Sequence, residues 1–441
     1  MSNRPETNKQ SCPVYKKCGG CQLQNLSYPE QLEFKQRKVE KLLKRFCTVE
    51  KIIGMKTPYH YRNKVQAAFY TDKKGKIISG VYQSGSHHVV GIDSCQTEDV
   101  IADKIIVAVR KLLPSFRMTT YNEDTGKGFL RHILVKRGFA TNQIMLVLVT
   151  GTPVFPSKNN FVKAILKQFP EITTIVQNIN PYRTNLVLGD NQKVLYGKGY
   201  IEDILCGCRF RISPKSFYQI NPVQTEVLYG KAIEFANLKG NETVLDTYCG
   251  IGTIGIIAAK NGAGNVIGAE LNGDAVRDAI VNARANNLKN IRFYKADAGE
   301  FMREAADEDE KPDVVFMDPP RAGSDRKFLD SLIKMSPKKV VYVSCNPETL
   351  ARDLAYLTQN SPYKAQKIQP VDMFPHTAHI ETVVLLSHKK ADSYIHIDVE
   401  FGEGEGKIPV DSIAKRAEAY KPKEKVTYKM IKEYIEAKYG F

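Results

Sequence analysis

Long apolar runs are missing from this sequence. In 441 residues none approaches the roughly 18 to 20 apolar positions that a membrane-spanning helix requires, and the longest strings are TIGIIAA and ETVVLLS. No membrane association is expected. The opening MSNRPETNKQS also lacks the apolar core of a secretory signal, so the expectation is a cytoplasmic protein. Internal repeats are absent. So is the bias of a disordered chain, since 42% hydrophobic and 25% charged residues are ordinary for folded domains. The length suffices for two to three compact units. Acidic residues are the scarcer charge: 48 Asp and Glu face 64 Lys and Arg, a net +16. That excess suits a polyanionic partner, nucleic acid above all, without naming it. In a reducing compartment the nine cysteines are free, metal-bound or catalytic rather than disulfide-paired.

What is present divides by texture. Residues 1–48 hold the three clustered cysteines Cys12, Cys18 and Cys21, a basic amphipathic helix pattern from about Tyr28 to Phe46, and Cys47 just after it. Residues 49–235 carry short β-branched or alternating runs (VQAAFYT, KIISGVYQ, HHVVGI, RHILVKRG, QIMLVLVT, TTIVQNIN), with helical patterns near 98–113 and 158–168. Residues 236–389 alternate apolar strands with helices: TVLDTYCG, VIGAEL, IRFYKAD, DVVFMDPP, KKVVYVSCNP and ETVVLLSH are the strands. That alternation predicts an α/β fold, a doubly wound parallel sheet with helices on both faces. Residues 390–441 form a charged tail with a predicted helix at TYKMIKEYIEAKYG.

Three strand ends carry the chemistry. Cys249 to Gly255 spells G-x-G-x-x-G between a strand and a helix, and Glu270 ends the next strand, 18 residues beyond Gly252. Glycines let backbone approach a nucleotide cofactor, and an acid at that distance suits ribose hydroxyls. A tight turn with helix packing is the plain alternative. A later strand ends Asp318-Pro319-Pro320-Arg321, a rigid lip where ligands of open α/β sheets bind. The next ends Ser344-Cys345-Asn346-Pro347. A thiol there is placed for nucleophilic work, with Arg321, Arg326 or Arg352 available to favour its thiolate. A buried structural cysteine is the competing reading.

DTYCGIGTIGI, MDPPRAG, VSCNPETLARDL and HIETVVLL, in that order, resemble the RNA 5-methyluridine methyltransferases, the RumA/RlmD, RlmC and TrmA group. The resemblance runs from Cys12 to about His388. It implies a class I S-adenosyl-L-methionine-dependent methyltransferase, with a mostly parallel Rossmann-like sheet and a β-rich RNA-binding domain carrying a cysteine cluster. It also implies Cys345 as nucleophile and Glu381 as general base. Gln219, Tyr248, Gly250, Glu270, Asp297 and Asp318 fall where the family contacts S-adenosyl-L-methionine. The chemistry accounts for these types. Uracil C5 is a poor nucleophile until a thiolate adds to C6, and a base must then remove the C5 proton so that the thiolate can leave. RNA cytosine-5 methyltransferases typically add a second cysteine beside the proline loop. None stands beside Asp318 here, which favours uracil.

Cys12, Cys18 and Cys21, with Cys95 far downstream, offer four thiolates. Four thiolates suit zinc or an iron–sulfur cluster, and spacing does not choose between them. The resemblance implies a 4Fe–4S cluster, as in the RumA/RlmD and RlmC enzymes and unlike TrmA. That favours 23S rRNA as substrate, with tRNA the alternative. The cysteine spacing differs from that of radical enzymes, so reductive cleavage of S-adenosyl-L-methionine is not implied. Eleven residues precede Cys12, so the TRAM domain of many RumA/RlmD members is expected to be missing, an arrangement closer to RlmC. Cys47, Cys206, Cys208 and Cys249 read as ordinary small residues.

For RNA contact the candidates are Tyr61, Arg62 and Lys64 in YHYRNK, and Arg131 and His132 in FLRH. Rings stack on unpaired bases and cations meet phosphates, although such pairs on strands also serve cross-strand packing. The basic helix QLEFKQRKVEKLLKR reads as a solvated face with one apolar stripe. The resulting expectation is a monomeric, catalytic RNA uracil-5 methyltransferase. The other class is a non-catalytic RNA-binding or assembly factor of the same fold, and the joint presence of Cys345, Glu381, Gln219 and Asp318 argues for the enzyme.

Overall fold

The computed structural model describes residues 12–83, 85–86, 88–184, 186–308 and 310–388. The predicted tail helix lies outside them. A single helical turn, α1 (Tyr15–Cys18), precedes α2 (Tyr28–Leu43). The latter opens on a capping box, Ser27 with Glu30, with a proline in its first turn, so its first orphan N–H groups are met locally. Its inward stripe is Gln31, Lys35, Val39 and Leu43, one every fourth residue. Two of the four are polar, which the plain amphipathic reading did not anticipate.

Lys35 explains why. Its ammonium donates to Asp372 Oδ1 at 2.5 Å and to the Phe374 carbonyl at 3.0 Å, while the Tyr28 hydroxyl donates to Asp372 Oδ2 at 2.8 Å. Both charged side chains are fully buried. Burial lowers the Lys35 pKa, opposed by the Asp372 carboxylate. Removing one partner strands the other charge without water. Lys35→Ala is therefore expected to cost about 3–5 kcal/mol in urea unfolding; a loss under about 1 kcal/mol would show that the pair merely replaces an apolar contact.

The first sheet is built from β1 (Lys64–Thr71), β2 (Ile77–Tyr82), β3 (Val89–Gly91), β4 (Leu130–Arg137), β5 (Ile144–Thr150), β6 (Ile172–Ile179) and β7 (Asn191–Tyr196), in the order β3-β2-β1-β4-β5-β6-β7. Its pairings are antiparallel except β5 with β6. Those two are joined by α4 (Lys158–Gln168), the crossover a parallel pair needs. With α3 (Val100–Leu112), α4 covers one face, Ile105, Val109, Phe161 and Ile165 packing with Ile133, Val135, Leu146 and Leu148. Both helices fall where the sequence patterns put them. The hairpin of β8 (Ile201–Leu205) and β9 (Cys208–Ile212) turns on Cys206 and Gly207, both at positive φ (50° and 73°). That is the two-residue turn whose twist matches antiparallel strands.

The second sheet follows α5 (Pro222–Ala236). Its strands are β10 (Thr243–Asp246), β11 (Asn265–Glu270), β12 (Ile291–Lys295), β13 (Val314–Met317), β14 (Lys339–Ser344), β15 (Tyr363–Val371) and β16 (Glu381–His388), ordered β12-β11-β10-β13-β14-β16-β15. Helices α6 (Thr253–Lys260), α7 (Gly273–Ala285), α8 (Ala298–Asp307), α9 (Arg326–Met335) and α10 (Pro347–Asn360) connect them. β10 to β14 are parallel, and β16 inserts antiparallel beside β14. The strand order reverses between β10 and β13, which puts a ligand crevice at their carboxyl ends.

A boundary at 235 cuts the end of α5, which packs on β14 and β15, while α2 packs on α10 and β15. One core runs from Met145 and Val147 of β5 through the hairpin's Ile201 and Phe210 and α5's Leu228 to Val341 and Val383.

Candidate active site

β14 and β16 bring the two proposed catalytic groups together. Their antiparallel register pairs Ser344 with Thr382, so the next step of the ladder sets Cys345 opposite Glu381 on neighbouring strands. Glu381 is 3% exposed. Its carboxyl is held well above the usual carboxylate range, first by burial and then by Asp318, with Arg321 pulling the other way. Burial, then Glu381 and Asp318, push the Cys345 thiol up to about 11, again opposed by Arg321. Asp318 rises to about 7 through burial and its neighbour Asp246. Asp246 also rises to about 7 through burial, against the Gly255 N–H and with the help of Glu270. Three carboxyls and a thiol thus crowd the strand ends with Arg321 as the cation that lowers both Cys345 and Glu381. Arg326 instead lies over the Tyr356 ring, and Arg352 serves Asp353 and the carbonyls of Ala322 and Ser324.

The loops are tied together. Asn346 caps α10 through the Glu348 N–H and donates from Nδ2 to the Arg321 carbonyl at 3.2 Å, where Thr349 also donates. These bonds join the Pro-Pro loop to the cysteine loop through one carbonyl.

In the glycine loop only Gly250 looks outward. It has φ 55° and a Cβ there would meet nothing within 4 Å. A Cβ at Gly252 would strike the Phe293 ring at 2.7 Å, and one at Gly255 would press on Asp246 at 3.1 Å. Those two glycines answer to the protein's own packing, and Gly250 alone leaves room for a ligand. Beside it, Asp246 accepts from Gly255 N–H at 2.8 Å through Oδ2, while its buried Oδ1 has no partner. Glu270 accepts from the N–H groups of Gly250 and Asn272. Tyr248 lies against Phe328, its hydroxyl 3.4 Å from Ser324 Oγ. Gln219 and Thr253 lie close enough to the buried Tyr229 hydroxyl to lower its pKa, against burial and Asp318, which raise it. Asp297 caps α8, its Oδ1 accepting from the Gly299 and Glu300 N–H groups.

Sequence reading missed Asp246 and Tyr229. The acid ending the first strand of DTYCG was a usable signal. Tyr229 had none, being one aromatic within a helix.

The four other cysteines share a patch. The Cys21 thiol is pushed up to about 12 by burial and by the Cys95, Cys18 and Cys12 thiols, with Arg62 opposing. Among the described residues, no three His, Cys, Asp or Glu side chains group tightly enough for a single metal ion. This segment also grips the loop before Glu381: Leu23 N–H donates to the His376 carbonyl at 2.9 Å, and Ala378 N–H to Gln22 Oε1 at 3.2 Å.

The RNA-contact candidates are buried to different degrees. Tyr61 is 1% exposed and its hydroxyl donates to the Pro375 carbonyl. Arg62 faces the cysteine patch, and Lys64 is half-buried beside Lys136 in the β1–β4 ladder. Arg131 and His132 are each 4% exposed, and burial takes His132 down to about 4, leaving it neutral. Arg131 and His132 lie on β4, an inner strand, where rings and cations also serve cross-strand packing.

The fold and crevice define the class first: a methyltransferase-type α/β sheet with ligand-ready loops at its carboxyl edge. The family model for tRNA (uracil-5-)-methyltransferases matches residues 163–389. An uncharacterized RNA methyltransferase of Bacillus cereus is 44% identical over 388 residues, covering 87% of this chain and 84% of its own. Another from Listeria monocytogenes is 46% identical over 379 residues, 85% and 83% of the two chains. The crystal structure of the Pyrococcus abyssi tRNA (uracil-54, C5)-methyltransferase in complex with S-adenosyl-L-homocysteine superposes with a TM-score of 0.71 at 30% identity, over 86% of this chain and 87% of that one. The chain belongs to the RNA uracil-5-methyltransferase family.

Proposed function

We propose that the protein methylates C5 of a uridine in RNA, with Cys345 as nucleophile and Glu381 as base. The carrying observation is the Cys345–Glu381 pair across β14 and β16, beside Asp318. S-adenosyl-L-methionine would supply an electrophilic methyl group on a cationic sulfur. The acid-rich strand ends, the unpartnered Asp246 Oδ1 and the open face of Gly250 suit such a ligand. Glu270, Tyr248, Gln219 and Asp318 would hold it. The Cys345 thiolate adds to uracil C6, and the electron pair pushed to C5 takes the methyl group. Glu381 removes the C5 proton, and the returning pair expels the thiolate. A uridine within a stem must be extruded to reach the thiol.

Because only the thiolate attacks and the free thiol titrates near 11, kcat/KM is expected to rise with pH from 7 to 9, by about tenfold per unit. A flat profile would show that the free enzyme already holds the thiolate.

Cys12, Cys18, Cys21 and Cys95 are proposed to hold a 4Fe–4S cluster. The resemblance supports a cluster, and the mutual influence of the four thiols is compatible with it, zinc being the alternative that four thiolates also suit. With the cluster, 23S rRNA is the proposed substrate. Transfer from labelled S-adenosyl-L-methionine to separate rRNA and tRNA pools tests both levels. Label in 5-methyluridine of rRNA supports the reading in full, label in tRNA alone redirects the substrate, and label in neither rejects the activity. Iron and zinc analysis of anaerobically purified protein decides the cluster.

A further inference from the structure

The first sheet carries a cleft that this chemistry leaves unused. It encloses about 350 Å³ between Tyr70 of β1, Tyr82 of β2, Tyr121, Glu123, Arg131 of β4 and Arg183. Tyr70 and Tyr82 are each 37% exposed, so their rings are open to contact. Tyr121 is 5% exposed, and its hydroxyl has no partner. Arg131 lies over the Tyr121 ring, 4.4 Å from its centroid, and gives Nη1 to the carbonyls of Asn180 and Tyr182. Its Nη2 stands 3.7 Å from Glu123 Oε1, while its buried Nε has no partner. Two buried polar groups lining one concavity therefore go unmet, which folded proteins seldom tolerate.

The lining states what would satisfy it. Three aromatic rings call for a flat, aromatic guest, and the unmet phenol and guanidinium N–H call for a guest with polar edges. Glu123 already accepts from the Tyr82 hydroxyl at 3.2 Å. Its carboxylate disfavours a bare phosphate and suits an exocyclic amino donor. Arg183, whose Nη2 donates to the Asp124 carbonyl, brings a cation to the same lining. We propose that this cleft receives one unpaired, amino-bearing nucleobase of the RNA, separate from the uridine that is methylated. The proposal rests on the RNA reading above. It follows the general habit of RNA recognition, in which splayed bases stack on aromatic side chains and are read along their edges.

The test uses the full-length protein and the RNA pool that it methylates. Tyr82→Ala and Tyr70→Ala are expected to weaken RNA binding about tenfold each, the loss of one base–ring stack, with Tyr82→Phe near wild type. Methyl transfer at saturating RNA and affinity for S-adenosyl-L-methionine should stay unchanged. Guanosine, adenosine or cytidine 5′-monophosphate should displace the RNA better than uridine 5′-monophosphate, and less so from Tyr82→Ala. Arg183→Ala serves as a further variant should an aromatic replacement lower the melting temperature. Wild-type RNA affinity in well-folded Tyr82→Ala and Tyr70→Ala overturns the cleft, and preferential displacement by the uridine nucleotide overturns the choice of base. A wild-type protein that methylates no RNA overturns the underlying function instead, which keeps the two failures apart.

Discussion

Cys345→Ala is expected to abolish methyl transfer, by about 10⁴-fold or more, while leaving affinity for S-adenosyl-L-methionine within a fewfold of wild type. The size follows from the reaction: without an adduct at C6, uracil C5 has no electron density to give, so nothing else in the site replaces the step. Retained cofactor binding follows from geometry. Tyr248 and Gly250 follow β10, Asp318 follows β13, Glu270 ends β11 and Gln219 precedes α5, whereas Cys345 follows β14. Calorimetry against the cofactor and single-turnover transfer to RNA read the two quantities separately. Transfer at even a tenth of the wild-type rate would sink covalent catalysis by this thiol.

Glu381→Gln should fail later in the sequence. The amide keeps the size of the side chain but cannot accept the C5 proton, so turnover is expected to fall by about 10²–10⁴-fold. The adduct should still form, leaving methylated RNA covalently held by Cys345 and visible as a slow band after denaturation. Cys345→Ala should give no such band. An active Glu381→Gln enzyme with no trapped species would move the base elsewhere, Asp318 being the carboxyl next in line because it acts on both Cys345 and Glu381. Burial already holds the Glu381 carboxyl above its usual range, so the fold without ligand gains nothing from its charged form. Folding without ligand should therefore not suffer, which separates a chemical defect from a structural one.

Much of this was legible before any coordinates. The strand–helix alternation after residue 240, the glycine turn, the proline lip and the cysteine at a strand's end are local signals, each written in a few consecutive residues whose backbone preferences agree. They placed Asp318 and Cys345 at the carboxyl edge of one sheet. Other elements left weaker marks. β15 (Tyr363–Val371) carries Lys364, Gln366 and Lys367 among its apolar positions, as an edge strand does, and blurs the pattern. α5, α8 and α9 went unannounced, and α5 packs on β14 and β15 of the second sheet.

What the sequence by itself determined is chemistry and order: a thiol, an acid and a glycine turn at strand ends, and four further cysteines in a net-basic chain. Tertiary structure alone decided company. It set Cys345 against Glu381 because β16 runs back between β14 and β15. It also buried Lys35 on Asp372, 337 positions apart in the chain, and turned Arg131 from a surface cation into the floor of a cleft. Long-range pairing costs the same backbone dihedrals wherever it occurs, so nothing local records it. The hydrophobic core that repays the cost is shared among segments, and only their assembly fixes which polar groups end up face to face.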